Sequence, residues 1–333
     1  MSEINVVIEQ VILLLIVGLI GYAAGRAKYL PASSDKIIAA LVAKVTAPLM
    51  IVTQIYGMGA HFKPGDYING VKIYFFAITF ILTGYVVSLF FRKTLKINGA
   101  IGKIFSVQSM FGNVLYLAIP VFTALSKAFP DVWGNSIAYA LFFVLGNDTL
   151  MWTVGISLLS DKKHDGLKMR LKHLLNGNSI AFIIGIILLL TGARKFLENT
   201  HFTSLVMGKL TDVGSMTSLL SILFIGLMLS KVNISAFIKD FRKKYSLLIS
   251  AFTKLLFVPI LAIFIIKLLN GFLPLEPAKT FIIQISMCAG TLAAALAAEY
   301  KTDPEYATQG VLVSTVMFLF TVPVVLLISN LIL

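Results

Sequence analysis

Charge is scarce in this chain: of its 333 residues 13% are Asp, Glu, Lys or Arg, against about 25% in soluble domains. With 58% hydrophobic residues and a mean hydropathy of +0.92, that shortage excludes an ordinary soluble fold and leaves an all-α integral membrane protein. Cysteine is almost missing. A single Cys288 excludes an internal disulfide, and between Met287 and Ala289 it reads as a small buried apolar side chain. Histidine is rare too, and His61, His164, His173 and His201 all fall in or near expected loops. There is no HExxH, no aspartate-rich lipid-diphosphate motif, and no second intramembrane aspartate to partner Asp148 as an aspartyl protease needs. An enzyme is not expected, and no motif asks for a metal or cofactor.

Acidic residues are outnumbered by basic ones, 15 to 28, for a formal charge of +13. The basic residues sit in short loops between apolar runs and form no patch interleaved with aromatics, so no nucleic-acid partner is expected and the charge reports topology. No Lys or Arg precedes the first apolar run, which carries Glu3 and Glu9 near its start. A cleaved signal peptide with a basic n-region is therefore not expected.

What is present is a series of apolar windows of about twenty residues, near 6–25, 37–57, 69–91, 103–126, 136–159, 179–198, 213–230, 246–269, 278–299 and 307–330. They give about ten transmembrane helices. The stretch 195–210, with Phe202, Leu205 and Val206 among polar residues, reads as a segment on the membrane surface before the seventh span. Basic clusters at Arg26 to Lys36, Arg92 to Lys103, Lys162 to Lys172 and Lys231 to Lys244 occupy alternate loops. The positive-inside rule makes those loops cytoplasmic, puts both termini outside, and makes 161–178 a cytoplasmic linker. It divides the chain into 1–160 and 179–333, each with five spans. An odd number of spans per half inverts the second half relative to the first.

Two of the windows are built to break. In Phe105 to Leu125 a Gly112-Asn113 pair and then Pro120 weaken one helical ladder. About twelve helical steps of ~1.5 Å from Ile101 put the break near the middle of a ~30 Å core, where freed backbone must face protein or a watery cavity. In Phe281 to Tyr300 the interruption is Ser286, Cys288, Gly290 and Thr291. Both windows open alike, as Phe105-Ser-Val-Gln108 and Phe281-Ile-Ile-Gln284. The plain reading is two unrelated packing defects. Breaks in matching positions of two halves are, however, the sequence mark of an inverted-repeat transporter with its site at the breaks.

Intramembrane polar residues are functional candidates because they are costly. Asn113 lies at the first break, with helix-to-helix bonding as its structural alternative. Asn147-Asp148 interrupts the fifth span; the carboxylate is a candidate proton carrier or a structural partner for a lysine. Lys254, deep in the eighth span, is a candidate counter-charge for Asp148 or for an anionic substrate. Lys44, nearer a cytoplasmic end, snorkels. Glu299 reads as a solvated helix end, and Gly21-x-x-x-Gly25 as a close-packing motif.

Taken together, Leu41 to Met50, Gly112-Asn113 with Pro120, Lys254 with Pro259, and Gly310 to Thr315 leading to Val322-Pro323 resemble the auxin efflux carriers and their bacterial malate or malonate permease-like relatives. The resemblance spans nearly the whole chain. Two departures are Ala289-Gly290-Thr291 where the family often has a proline, and no long hydrophilic central loop, which argues against the plant hormone as substrate. The resemblance implies two inverted five-helix repeats with the fourth and ninth helices broken and crossing at the substrate site. It also implies a scaffold of helices one, two, six and seven that forms a homodimer in the lipid bilayer. The expected substrate is a small organic anion, mono- or dicarboxylate, moved through the cell membrane by alternating access. Gly112, Asn113, Pro120, Ala289, Gly290 and Thr291 are expected at the substrate, and Asp148, Lys254 and Asn147 in coupling or charge pairing. Free amides and dipoles at the breaks are expected to attract the anion. The alternatives are a sodium- or proton-coupled exchanger or symporter on a similar fold, and a channel or receptor.

Overall fold

The computed structural model describes residues 2–31, 33–58, 62–160, 176–194, 200–231 and 241–333. Among them every regular element is a helix. In chain order these are α1 (Glu3–Arg26), α2 (Ser34–Met58), α3 (Pro64–Thr94), α4 (Gly99–Met110), α5 (Ala118–Ala128), α6 (Pro130–Leu159), α7 (Gly177–Leu190), α8 (His201–Ser230), α9 (241–268), α10 (Leu275–Ile285), α11 (Thr291–Glu299) and α12 (Pro304–Ile332).

Seven of them, α1, α2, α3, α6, α8, α9 (from Tyr245) and α12, are long and apolar enough to cross a membrane. They coincide with seven of the apolar windows. The other three windows differ for identifiable reasons. Two are broken, 103–126 into α4 and α5 and 278–299 into α10 and α11, and the third holds only the short α7. One expectation needs correction: the surface segment over 195–210 is, from His201, the beginning of the continuous helix α8. Nothing between His201 and Val213 stops a helix, because the one weak former, Gly208, costs only about 1 kcal/mol. The start of that segment, and most of the linker 161–178, lie outside the described residues.

Capping explains where several helices start. The Asn176 side chain accepts from the Asn178 and Ser179 amides at the head of α7, and Asp303 accepts from Tyr306 N with Pro304 in the first turn of α12. Three helices contain π turns: Val42–Thr46 in α2, Met151–Gly155 in α6 and Thr253–Phe257 in α9. In α2 and α9 a proline, Pro48 or Pro259, stands two residues after the π turn. A proline ring clashes with the carbonyl four residues back in an ideal helix, and the wider turn makes room for it. Each π turn holds or follows one of the intramembrane polar residues: Lys44, Lys254 and the Asn147-Asp148 pair.

The chain packs as two compact units, one of Met1–Ile12, Asn69–Gly166 and Lys231–Leu333, the other of Leu13–Ile68 and Leu167–Ser230. The second unit holds most of α1 with α2, α7 and α8, the helices that the resemblance assigns to a scaffold. Within it, Gly21 of α1 faces the Leu223 carbonyl and Gly25 the Ser230 side chain so closely that neither position has room for a Cβ. That is the close packing expected of the glycine pair. Ile12, Leu13, Ile16, Leu19 and Ile20 on α1 and Ile183, Ile187 and Leu190 on α7 are exposed, as side chains that face lipid are. The first unit holds both broken windows. Each unit takes helices from both halves of the chain, so division by packing cuts across the division at the linker.

Candidate functional site

The two breaks lie against each other. After Met110 the chain leaves the helix in an extended conformation at Phe111, and after Ile285 it passes through a last turn at Ser286 and is extended at Gly290. The extended pieces pair antiparallel at Gly112 and Ala289. Asn113 N donates to Cys288 O at 2.7 Å, and Gly290 N to Phe111 O at 3.1 Å. Ala289 N donates to Ser314 Oγ at 3.0 Å, and Thr315 Oγ1, which also bonds Val311 O at 2.7 Å, points its hydroxyl at Cys288 Sγ at 3.6 Å. Glycine at both strands serves closeness rather than an unusual φ. A Cβ on Gly290 would stand 3.0 Å from Gly112 O, and one on Gly112 would stand 3.2 Å from both Met287 O and Lys254 Cε. Each break thus satisfies the other's backbone, as buried peptide groups require.

This changes the role of the amides. The amides of Asn113 and Gly290 are taken by the crossing and that of Ala289 by Ser314, so these three backbone donors are not free for a ligand. Two side chains remain. Asn113 is 3% exposed and Lys254 1% exposed, and among the described residues neither Asn113 Nδ2 nor Lys254 Nζ has a hydrogen-bond partner. A buried donor left without a bond costs ~1–3 kcal/mol, and more when charged, so native structures retain few of them. The Lys254 side chain runs past Gly112, the residue before Asn113.

Asn147 and Asp148 lie in α6 just before its π turn. Asn147 is buried with Oδ1 unpartnered, and its Nδ2 faces Asp148 Oδ1 at 3.4 Å. Asp148 is half-buried and within electrostatic range of Tyr116, in the link between α4 and α5. Pro120 sits in the first turn of α5, where a missing amide hydrogen leaves no bond unmade. Thr291 begins α11 and is buried. Lys44 is exposed, as a snorkelling residue should be, and Glu299 is exposed at the end of α11.

Two residues that the sequence reading noted only as a matching start carry the frame of the site. Gln108, 2% exposed, donates from Nε2 to Ala307 O near the start of α12 at 2.7 Å, and Gln284, fully buried, donates to Ala140 O in α6 at 3.2 Å. Each broken helix is therefore tied to the last helix of the opposite half by the glutamine of its F-x-x-Q. Ser314 was also missed as a site residue. The signal for it was a hydroxyl in an otherwise apolar run, but which backbone it would serve depends on the distant break.

Among the described residues no group of three or more His, Cys, Asp or Glu could hold a metal ion. The arrangement can hold an anion through two buried donors, Lys254 Nζ and Asn113 Nδ2, that have no hydrogen-bond partner among the described residues. Compared with known families, residues 6–326 match a family described as membrane transport protein. No curated protein matches the chain.

Proposed function

The chain belongs to the membrane transport protein family, the auxin efflux carrier family, which is a family of transporters and not of enzymes, and on that premise we propose that it is a secondary transporter of a small organic anion. The observation that carries the reading is the pair of buried, unpartnered donors, Asn113 Nδ2 and Lys254 Nζ, at the crossing of the two breaks. A carboxylate placed there takes a charge-assisted bond from each, and a cation would meet the ammonium. Mono- and dicarboxylates of the malate or malonate kind fit that chemistry.

The architecture we assign is ten spans in two inverted five-helix repeats, with α4–α5 and α10–α11 as the broken fourth and ninth spans. The two glutamine bonds support it. Exchange of the halves turns the bond from the fourth span to the tenth, Gln108 to Ala307, into the bond from the ninth to the fifth, Gln284 to Ala140. Transport then proceeds by alternating access, with the substrate held in the unit that contains the crossing, and with α1, α2, α7 and α8 as the scaffold of a homodimer. Asp148 is the proposed proton carrier. The chain is placed in the cell membrane with both termini outside. A thermal-shift screen of the purified protein against mono- and dicarboxylates tests the substrate class, since a ligand bound only by the folded state raises its stability. A screen in which amines or sugars stabilise the protein and carboxylates do not contradicts the proposal.

A further inference from the structure

Away from the crossing, four helices meet on one carboxylate. Glu3, in the first turn of α1, accepts from Trp133 Nε1 on α6 at 3.0 Å and from Asn330 Nδ2 near the end of α12 at 3.1 Å. Lys279 Nζ on α10 lies 3.1 and 3.2 Å from its two oxygens. All four residues belong to the unit that holds the crossing. α10 has two further ties to α6, from Glu276 Oε1, which accepts from Asn135 N at 2.6 Å, and from Gln284 Nε2, which donates to Ala140 O. What depends on Glu3 is therefore the start of α1.

α1 is one helix from Glu3 to Arg26, yet it packs with the crossing unit only as far as Ile12 and with the other unit from Leu13 on. Sharp bends in helices arise at Pro, at Gly or at π turns. From Glu3 to Val17 there is no Gly or Pro, α1 has no π turn, and Gly21 and Gly25 are pressed against Leu223 and Ser230. A helix so built does not bend when one unit moves against the other; its first turns let go instead. Val6, Val7 and Val11 are buried there, but apolar contact is non-directional and can slide, whereas the carboxylate bonds are either made or broken. The side chains of Glu3 and Lys279 are 16% and 9% exposed, so both charges regain water when they part and neither is left in a dry interior. Resting on the alternating-access reading above, and on no class of substrate, we propose that the Glu3 carboxylate is a latch. Closed, it holds the start of α1 on the crossing unit; it opens in the other access state.

Two experiments test this. In a Cys288→Ala background, Glu3→Cys and Asn330→Cys place two thiols where the present side chains touch, and a short bifunctional reagent cleavable by reductant joins them. Malonate uptake into proteoliposomes should fall at least about tenfold on cross-linking and return on reduction, and the reagent should not slow either single-cysteine protein. Undiminished uptake by the cross-linked protein overturns the latch. The second experiment needs no substrate and only the mild Glu3→Gln change. Amide hydrogen exchange over residues 7–11 should quicken at least about tenfold, while exchange over residues 275–285 stays as in the wild type. Loosening of both segments together makes Glu3 a structural residue of α10 and overturns the proposal. A wild-type protein that takes up no malonate counts against the organic-anion reading, and the exchange comparison then decides the latch by itself.

Discussion

Replacing Lys254 by Met should move stability and binding in opposite directions. In the unliganded protein its Nζ is buried and has no hydrogen-bond partner among the described residues, and a buried donor left unsatisfied costs ~1–3 kcal/mol that an apolar side chain of similar volume does not carry. The methionine stem follows the same path past Gly112, and the π turn, being backbone, needs no lysine. With substrate bound, the ammonium is one half of a buried pair, whose loss costs ~3–5 kcal/mol, or roughly two to four orders of magnitude in affinity. The assay is thermal unfolding of purified protein with and without a saturating carboxylate. Ligand at about a hundred times its dissociation constant should stabilise the wild type by ~2.7 kcal/mol and the variant by almost nothing. A variant that is much less stable without ligand, or that keeps the full ligand-induced stabilisation, refutes the assignment and makes Lys254 a structural residue.

Gly290→Val should abolish transport, because its Cβ would press on Gly112 O at 3.0 Å and part the crossing; measurable uptake by a well-expressed variant would show that the two strands can separate without loss. Gln108→Leu and Gln284→Leu should each cost about 1 kcal/mol of stability and lower transport alike, read by thermal unfolding and uptake into vesicles; a strong effect of one and none of the other counts against the repeat. In a Cys288→Ala background, cysteines at the exposed positions Lys96 and Lys267 should be labelled by an impermeant reagent from opposite sides, Lys96 from the cytoplasm. Labelling of both from one side ends the inverted topology.

The breaks were legible because local chemistry makes them: Gly112-Asn113 and the Ser286 to Thr291 cluster weaken a helix wherever they stand. Lys254 was legible as an expense within an apolar run. What lay beyond reach was every fact that joins distant parts of the chain. The bond from Asn113 N to Cys288 O spans the two halves, so no local pattern could show that the break amides are used by each other rather than by a ligand. The same holds for Ser314, which serves Ala289 N, and for the two glutamines, whose partners lie on helices of the opposite half. Pro120 read as part of the break and proves to open the helix that follows it. The helix α8 ran further back than expected because polar residues end an apolar window without ending a helix.

The most direct test of an anion held at the crossing is the affinity of Asn113→Ala for its transported carboxylate, measured by uptake into proteoliposomes at matched protein incorporation. The substitution removes an amide whose Nδ2 has no hydrogen-bond partner among the described residues, so the fold has little to lose. Losing a donor to a charged ligand costs ~1.5–3 kcal/mol, and half-saturation should rise roughly ten- to a hundredfold. Uptake with unchanged half-saturation and unchanged maximal rate would place the substrate somewhere other than the crossing.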